Sequence, residues 1–296
     1  MTKFANIYVP NDAKPESWFK FLIDSREIIN QNLDEIVLDF NTVDYLHTDD
    51  IVVLGCLIDM IFNKKIKITF INGTKRLKNH LKKIKFKKYW TDDFNRDKFT
   101  LVGTKNILCL WHISEEMIST YSEHAKQYFE KNFFNNKDLL PLSTNLSELF
   151  NNIFDHSKSE VNGYIIMQYY PKNNRLSFSI CDFGIGIADR LNKYYTENNK
   201  PVKEDSEVLK ESLITGVSSF TTARNRGFGL SNVLNFTESF EGILTIISNN
   251  GCLIKEFDKE YRLLETDYNF KGTLIKAEVN TLTFEEKDEE EYIYDM

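Results

Sequence analysis

Three short segments, each at one end of a helix-like or strand-like run, constrain the fold more than any other feature of this chain. They are SELFNNIFDHS at residues 147–157, CDFGIG at 181–186 and GFGL at 227–230. The first has the composition of a helix, the second ends a strand in glycines, and the third begins a helix. We expect the three segments to meet at one site.

The first segment combines an acid and an amide at helical spacing. Glu148 and Asn152 are four residues apart, so a helix places them side by side on one face. Four apolar residues cover the opposite side of that helix: Leu149, Phe150, Ile153 and Phe154. Chemistry on a nucleotide phosphate needs at least an oxygen ligand for Mg²⁺ and, beside it, a carboxylate that polarises water.

The two glycine segments have ordinary explanations when each is taken alone. Asp182 followed by Gly184 and Gly186 is typical of a tight turn after a strand. Gly227 and Gly229 stand before a helix, where free N–H groups and the helix dipole favour an anion. The order of all the segments together favours a nucleotide site.

In this order the segments resemble the motifs of the GHKL ATPase family, which includes DNA gyrase and the ATP-binding domains of histidine kinases and anti-sigma factor kinases. Glu148-Leu-Phe-Asn-Asn152 matches the N-box of that family, and Asp182-Phe-Gly184-Ile-Gly186 matches its DxGxG box. Gly227-Phe228-Gly229-Leu230 matches its second glycine box, and Gly272-Thr273 its last motif. The resemblance implies a Bergerat-type α/β sandwich with a mixed sheet and an ATP lid.

The resemblance also implies a role for each matched residue, with ATP and Mg²⁺ as cofactors. Asn152 would hold Mg²⁺, and Glu148 would orient or deprotonate the attacking water or hydroxyl. Asp182 would accept a hydrogen bond from the adenine amino group, with Thr273 beside it. The remaining matched positions would bring backbone close to the nucleotide: Gly184, Gly186, Gly227, Phe228, Gly229 and Leu230.

The resemblance implies that residues 188–226 form the ATP lid, and the length of this excursion by itself indicates a functional loop. Four residues near its end are close enough in sequence to contact phosphate: Thr221, Thr222, Arg224 and Arg226. A simple polar loop is the alternative for these four residues.

The first hundred residues alternate between strand-like and helix-like runs, which predicts a parallel sheet. VLDFNTVDYLHTDDIVVLGCLIDMI resembles the STAS-like domains of anti-sigma factor antagonists, in which Thr48 would match the phosphorylated position. Thr48 before Asp49 and Asp50 is equally a helix N-cap. We therefore predict a STAS-like domain at 1–104, a GHKL domain at 105–281 and an acidic tail at 282–296.

In the second half we expect a strand at 107–113, a long helix at 114–134, and then a helix capped by Ser143 or Thr144 that carries Glu148. A hairpin follows at 163–170 and 175–187, with its second strand ending at Asp182 before the glycines, and helices are expected at 206–214 and 229–240. Three strands complete the domain: 242–251, 261–266 and 272–280.

Composition and charge limit the classes of partner. The net charge of −7 argues against general nucleic-acid affinity, and the basic run at 75–88 reads as the solvated face of an amphipathic helix. No apolar run is long enough to span a bilayer, and no leader opens the chain, so we expect a cytoplasmic protein. Four scattered cysteines read as buried free thiols.

We expect a regulatory ATPase of a signalling or defence system, in which ATP changes contacts with a protein partner through the lid. One alternative is an anti-sigma-type serine/threonine kinase, with Thr48 or an equivalent residue of a partner as acceptor. Another is a non-catalytic nucleotide switch. Dimerisation through the 114–134 helix stays open, because no heptad pattern runs long enough to predict it.

Overall fold

A computed structural model gives the fold. The residues that it describes are 2–12, 14–91, 102–113, 118–156, 163–214 and 229–287. These residues form a mixed α/β structure with one small parallel sheet and one large antiparallel sheet, so the α/β class predicted from the sequence is confirmed.

The small sheet contains the first three strands, β1 Phe4–Tyr8, β2 Glu35–Asp39 and β3 Lys67–Ile71. β2 lies in the middle and pairs in parallel with both neighbours, as the alternation of strands and helices predicts. Three helices belong to this part of the chain, followed by a short 3-10 helix at Phe86–Tyr89: α1 Pro15–Ile29, α2 Thr48–Asn63 and α3 Lys75–Lys83.

The sequence offered Thr48 as the N-cap of helix α2, but the helix begins one residue earlier than that. His47 occupies the N-cap position, and Thr48 is the first helical residue. The Asp50 carboxylate accepts a hydrogen bond of 2.8 Å from the His47 backbone N–H, which closes the first turn. Asp49 and Asp50 also place negative charge near the positive end of the helix dipole.

In the described residues, the large sheet has nine strands, most of them in the order β11-β10-β9-β12-β8-β7-β5-β4, with β6 also paired to β7. The strands are β4 Gly103–Thr104, β5 Ile107–Leu108, β6 Trp111–His112, β7 Tyr164–Tyr170, β8 Arg175–Asp182, β9 Ile243–Ser248, β10 Gly251–Glu256, β11 Arg262–Glu265 and β12 Thr273–Asn280.

Every pairing among these described strands is antiparallel, so the expectation of a mixed sheet is wrong for this part of the chain. Strand β9 does run in the same direction as β8. However, β12 lies between those two strands and runs antiparallel to both of them. A parallel pair therefore never forms.

Two strand predictions need correction. The run at 107–113 is two short strands, because the Leu110 N–H leaves the sheet and donates to the Ile84 carbonyl. The last part of the chain has four strands instead of three, since β10 was missed. Asn249 and Asn250 form the turn between β9 and β10, and Asn249 has a φ of 54°, a value that asparagine tolerates well.

The described residues of the second half form five helices: α4 Ile118–Asn132, α5 Leu140–His156, α6 Ile187–Glu197, α7 Asp205–Ser212 and α8 Gly229–Ser239. Helix α5 begins at Leu140 and not at Ser143 or Thr144. The Asp138 carboxylate accepts a 2.8 Å hydrogen bond from the Leu140 N–H, and Pro141 fits the first turn because no helical bond needs its nitrogen there. Among the described helices, none is long and apolar enough to cross a membrane.

The two faces of the large sheet contact different helices, and strand β8 shows the division. Leu176, Phe178 and Ile180 point to one face, where they pack in a cluster with buried residues of α4, α5 and α8. Ser177, Ser179 and Cys181 point to the opposite face, because successive side chains alternate along a strand. That opposite face is covered by α2.

Helix α2 lies close against its face of the sheet. A Cβ atom on Gly55 would be 3.2 Å from the Tyr164 ring, so glycine permits the close approach. The Tyr164 hydroxyl donates a hydrogen bond of 3.1 Å to the Asp59 carboxylate near the other end of the helix. The apolar cluster on this face includes residues of both sheets.

Candidate functional site

Asp182 ends strand β8 on the face of the sheet that carries α4, α5 and α8. Its side chain follows Leu176, Phe178 and Ile180 on that face, and the residue is 3% exposed. One carboxylate oxygen accepts a hydrogen bond of 2.7 Å from the Gly184 N–H. Burial raises the pKa of this carboxyl to about 7, although the Gly184 N–H opposes part of the rise.

Thr273 opens strand β12 directly opposite Asp182 in the register of the sheet. Ile275 and Ala277 of the same strand belong to the cluster on the helical face, so alternation places Thr273 on that face too. The preceding Gly272 has a φ of 143°, and a Cβ atom there would overlap the Asp182 carbonyl oxygen. The sequence predicted that Asp182 and Thr273 share a site, and the sheet brings them together.

The glycine turn after Asp182 is held by two buried residues that sequence reasoning did not single out. The Ser248 hydroxyl accepts a hydrogen bond from the Ile187 N–H and donates one to the Gly272 carbonyl, both 2.7 Å long. The Asn249 amide donates to the Ile185 carbonyl at 3.0 Å and accepts from the Asp189 N–H at 3.2 Å. Ser248 and Asn249, at the end of β9 two strands away, therefore fix the turn.

The turn requires glycine at position 186. Its φ is 89°, and a Cβ atom would overlap the side-chain oxygen of Asn249. Gly184 contributes its N–H to Asp182, as described above. The only sequence signal for the contribution of β9 was the polar run SNN at 248–250, which interrupts an otherwise apolar strand.

Glu148 and Asn152 both lie in helix α5, so the predicted four-residue spacing on one helix is present in the backbone. Their side chains lie outside the described part of the structure. Leu149 and Phe150 are almost completely buried and belong to the same apolar cluster as Phe178 and Ile180 of β8. Helix α5 is therefore packed on the face of the sheet that carries Asp182.

The second glycine segment leads into helix α8, which begins at Gly229 and contacts α5. Leu230 is half-buried against the same apolar cluster. Gly227 and Phe228 lie outside the described residues, and so do the four lid residues expected near phosphate: Thr221, Thr222, Arg224 and Arg226. Within 188–226, α6 and α7 are described, and α7 covers most of the helix predicted at 206–214.

Thr48 lies on the opposite face of the sheet from Asp182. It is 1% exposed, and its hydroxyl lies 2.8 Å from the Ser179 hydroxyl and 3.3 Å from the Ser177 hydroxyl. Since Ser177 and Ser179 alternate with Phe178 and Ile180 along β8, the sheet separates Thr48 from the Asp182 face. The structure therefore does not bring Thr48 to the other candidate residues.

The described residues around Asp182 form a polar cluster. A buried carboxylate, a hydroxyl-bearing residue opposite it and two glycine positions without room for a side chain lie at one end of the large sheet, beneath helices α5 and α8. The Asp182 carboxylate retains lone pairs for a further hydrogen bond, whereas the space beside Gly186 and Gly272 is filled by Asn249 and by the Asp182 carbonyl.

Comparisons with known proteins add no family to this picture. No protein-family model matches the chain, and no curated protein matches it.

Proposed function

We propose that the protein binds Mg·ATP as a GHKL-type regulatory ATPase and that ATP changes its contacts with a protein partner through the segment at 188–226. The single observation that carries the proposal is the placement of Asp182, buried at the end of β8 with its Gly184 hydrogen bond and directly opposite Thr273. The ordered motifs of the sequence are consistent with the same site.

The residues at the Asp182 end suit an adenine ring. One Asp182 oxygen is engaged by Gly184, and a carboxylate has enough lone pairs to accept an amino group as well. Guanine carries a carbonyl where adenine carries that amino group, so the pocket should reject GTP. A need to accept this hydrogen bond also accounts for a carboxyl group at a position where burial opposes its charge.

The phosphate end of the proposal rests on Asn152 and Glu148 of helix α5. Asn152 would hold Mg²⁺ through its amide oxygen, and the ion would neutralise charge on the phosphates. Glu148 would take a proton from water or orient it. Both residues belong to helix α5, which packs on the face of the large sheet that carries Asp182.

Among the alternatives, transfer of phosphate to a partner protein fits the fold better than transfer to Thr48 of the same chain. Thr48 is buried on the opposite side of the sheet, so α2 would have to leave its position before this hydroxyl could accept a phosphoryl group. A non-catalytic nucleotide switch in the cytoplasm would need the same Asp182 pocket but not Glu148.

Binding is tested first, with fluorescent ATP and GTP analogues and Mg²⁺. We expect the wild type to prefer ATP, and Asp182→Asn to lose at least about tenfold in affinity, because one buried hydrogen-bonded charge typically contributes 1.4 kcal/mol or more. Asp258→Asn is the matched control, since Asp258 lies in an exposed turn. Equal binding by wild type and Asp182→Asn would contradict the proposal.

Turnover is tested with γ-labelled ATP, following free phosphate and protein-bound label. Phosphate release that disappears in both Glu148→Ala and Asn152→Ala supports the ATPase. Binding retained without release by the wild type favours the switch. Label that appears on the protein and disappears in Thr48→Ala would overturn the preference for an acceptor on a partner.

A further inference from the structure

Arg26, in the last turn of helix α1, contacts the turn that precedes Thr273. One guanidinium nitrogen donates to the Phe270 carbonyl at 2.8 Å, and the other terminal nitrogen donates to the Lys271 carbonyl at 3.0 Å. These partners lie almost at the other end of the chain, so the contact is formed only in the folded protein.

The same guanidinium also contacts the glycine segment that follows Asp182. Its central carbon lies 4.5 Å from the centroid of the Phe183 ring, a cation–π arrangement. Phe183 stands between Asp182 and Gly184, and its ring packs edge-on against Phe270 with centroids 6.0 Å apart. Arg26 is thus in contact with both backbone segments that form the Asp182 end of the candidate site.

The turn that Arg26 holds has an unfavourable backbone. Lys271 has a φ of 49°, in the left-handed region that is unfavourable for a residue with a side chain. Gly272 follows with a φ of 143° and lies against the Asp182 carbonyl. Two carbonyl groups bound to one cation offset this cost and keep the turn closed over Asp182.

A plain structural role for Arg26 would be a positive charge at the C-terminal end of α1, which the helix dipole favours. A lysine would serve that role equally well. The observed contacts need a planar group that donates along two directions to consecutive carbonyls and stacks on an aromatic face at the same time. Only arginine among the cationic side chains combines these properties.

We propose that Arg26 is a positioning residue for the adenine end of the nucleotide site. It joins the Phe183 segment to the Phe270–Gly272 turn, so the placement of Asp182 relative to Thr273 depends on the N-terminal part of the chain. The nucleotide part of this inference rests on the proposed function.

The test uses Arg26→Met, Arg26→Lys and the control Arg175→Met. Arg175 lies at the opposite end of β8 and donates a 2.8 Å hydrogen bond to the Glu241 carbonyl, so the control also removes a guanidinium–carbonyl contact. Arg26→Lys keeps the charge and most of the stem, which protects the fold if Arg26→Met is unstable. Amide hydrogen exchange is measured without nucleotide, and ATP affinity is measured separately.

Without nucleotide, we expect exchange at residues 182–186 and 270–273 to speed up about tenfold or more in Arg26→Met, and less in Arg26→Lys. Arg175→Met should leave both segments unchanged. ATP binding should weaken by about tenfold in both Arg26 variants and stay at the wild-type value in the control. A loss in Arg26→Lys is the outcome that a simple helix-end charge does not produce.

Three results would overturn parts of the inference, and they differ from one another. Equal exchange in Arg26→Met and Arg175→Met shows that Arg26 does not hold the two segments. Faster exchange with unchanged ATP affinity shows that the segments do not govern binding. A wild-type protein that binds no ATP, with exchange still responding to Arg26→Met, refutes the proposed function and the nucleotide role but retains the contact between segments.

Discussion

Replacement of Asp182 by asparagine should stabilise the protein near neutral pH while it weakens nucleotide binding. Asparagine is nearly the same size, and its side-chain oxygen can still accept the Gly184 N–H that Asp182 accepts at 2.7 Å. What disappears is a negative charge on a residue that is 3% exposed. The substitution should therefore raise the stability of the fold and lower the affinity for ATP. Replacement of an ordinary core residue would lower the stability instead.

The size of the stabilisation follows from the pKa. Burial raises the pKa of Asp182 from its ordinary 3.8 to about 7. Between those values the folded protein holds a proton that the unfolded chain has lost, so the free energy of unfolding falls as pH rises. From about pH 5 to about pH 8 the wild type should lose on the order of 3 kcal/mol through this group, at about 1.4 kcal/mol per pKa unit.

The assay is urea unfolding of wild type and Asp182→Asn at about pH 5 and about pH 8, with the free energy of unfolding compared at each pH. Taking the difference between the two proteins cancels other titrating groups, including Asp50, whose pKa burial and Asp49 also raise to about 7. We expect Asp182→Asn to gain stability over wild type as pH rises. The same difference at both pH values would refute the reasoning.

Three further changes test other parts of the structure. Gly272→Ala should lower the free energy of unfolding by about 2 kcal/mol or more and weaken ATP binding, because its Cβ would overlap the Asp182 carbonyl at a φ of 143°. Gly73→Ala is the control for ATP binding, since Gly73 also has a positive φ but lies away from the site. Thr48→Glu should lower the free energy of unfolding by about 3 kcal/mol or more, because it buries a charge at a 1% exposed position. Thr48→Ser should lower it by about 1 kcal/mol. A Thr48→Glu variant as stable as the wild type would contradict the observed burial. A thiol reagent should find no reactive group in the native protein and four in denaturant, because all the cysteines are buried: Cys56, Cys109, Cys181 and Cys252.

The parts of the fold that depend on local pattern could be predicted from the sequence. Alternating strand-like and helix-like runs indicated the small parallel sheet, and the turn between β7 and β8 indicated their hairpin. The strand that ends at Asp182 was predicted because an apolar run leads directly into glycines. Each of these signals lies within a few residues of the structure that it predicts.

The parts that depend on distant contacts could not be predicted in the same way. Strand β10 was missed because its run GCLIKE follows β9 after only two turn residues, and the pair resembles one longer segment. Ser248 and Asn249 look like turn residues until the sheet places them beside Gly186. The contacts of Arg26 could not be predicted, because its partners lie more than two hundred residues away in the sequence.

The antiparallel arrangement of the large sheet is also a consequence of long-range order. The sequence indicates a helical connection after β8, and such a connection permits β9 to run parallel to β8. Only the position of β12 decides whether those two strands pair with each other. Because β12 pairs with both, Thr273 lies opposite Asp182 on one side and Ser248 on the other. The strand that removes the parallel pair thus joins the three polar positions of the site.

The position of helix α2 has an energetic consequence for the whole chain. Tyr164, Ile166 and Cys181 on the large sheet are each at most 1% exposed, and they belong to the same apolar cluster as Leu54 and Ile58 of α2. Without the N-terminal part, these strands would expose a contiguous apolar surface, and burial contributes about 25 cal/mol per Å² of such surface. The large sheet therefore depends on α2 for much of its stability. Since Arg26 also reaches the Asp182 end of the sheet, folding of the N-terminal part and order at the candidate site are physically linked.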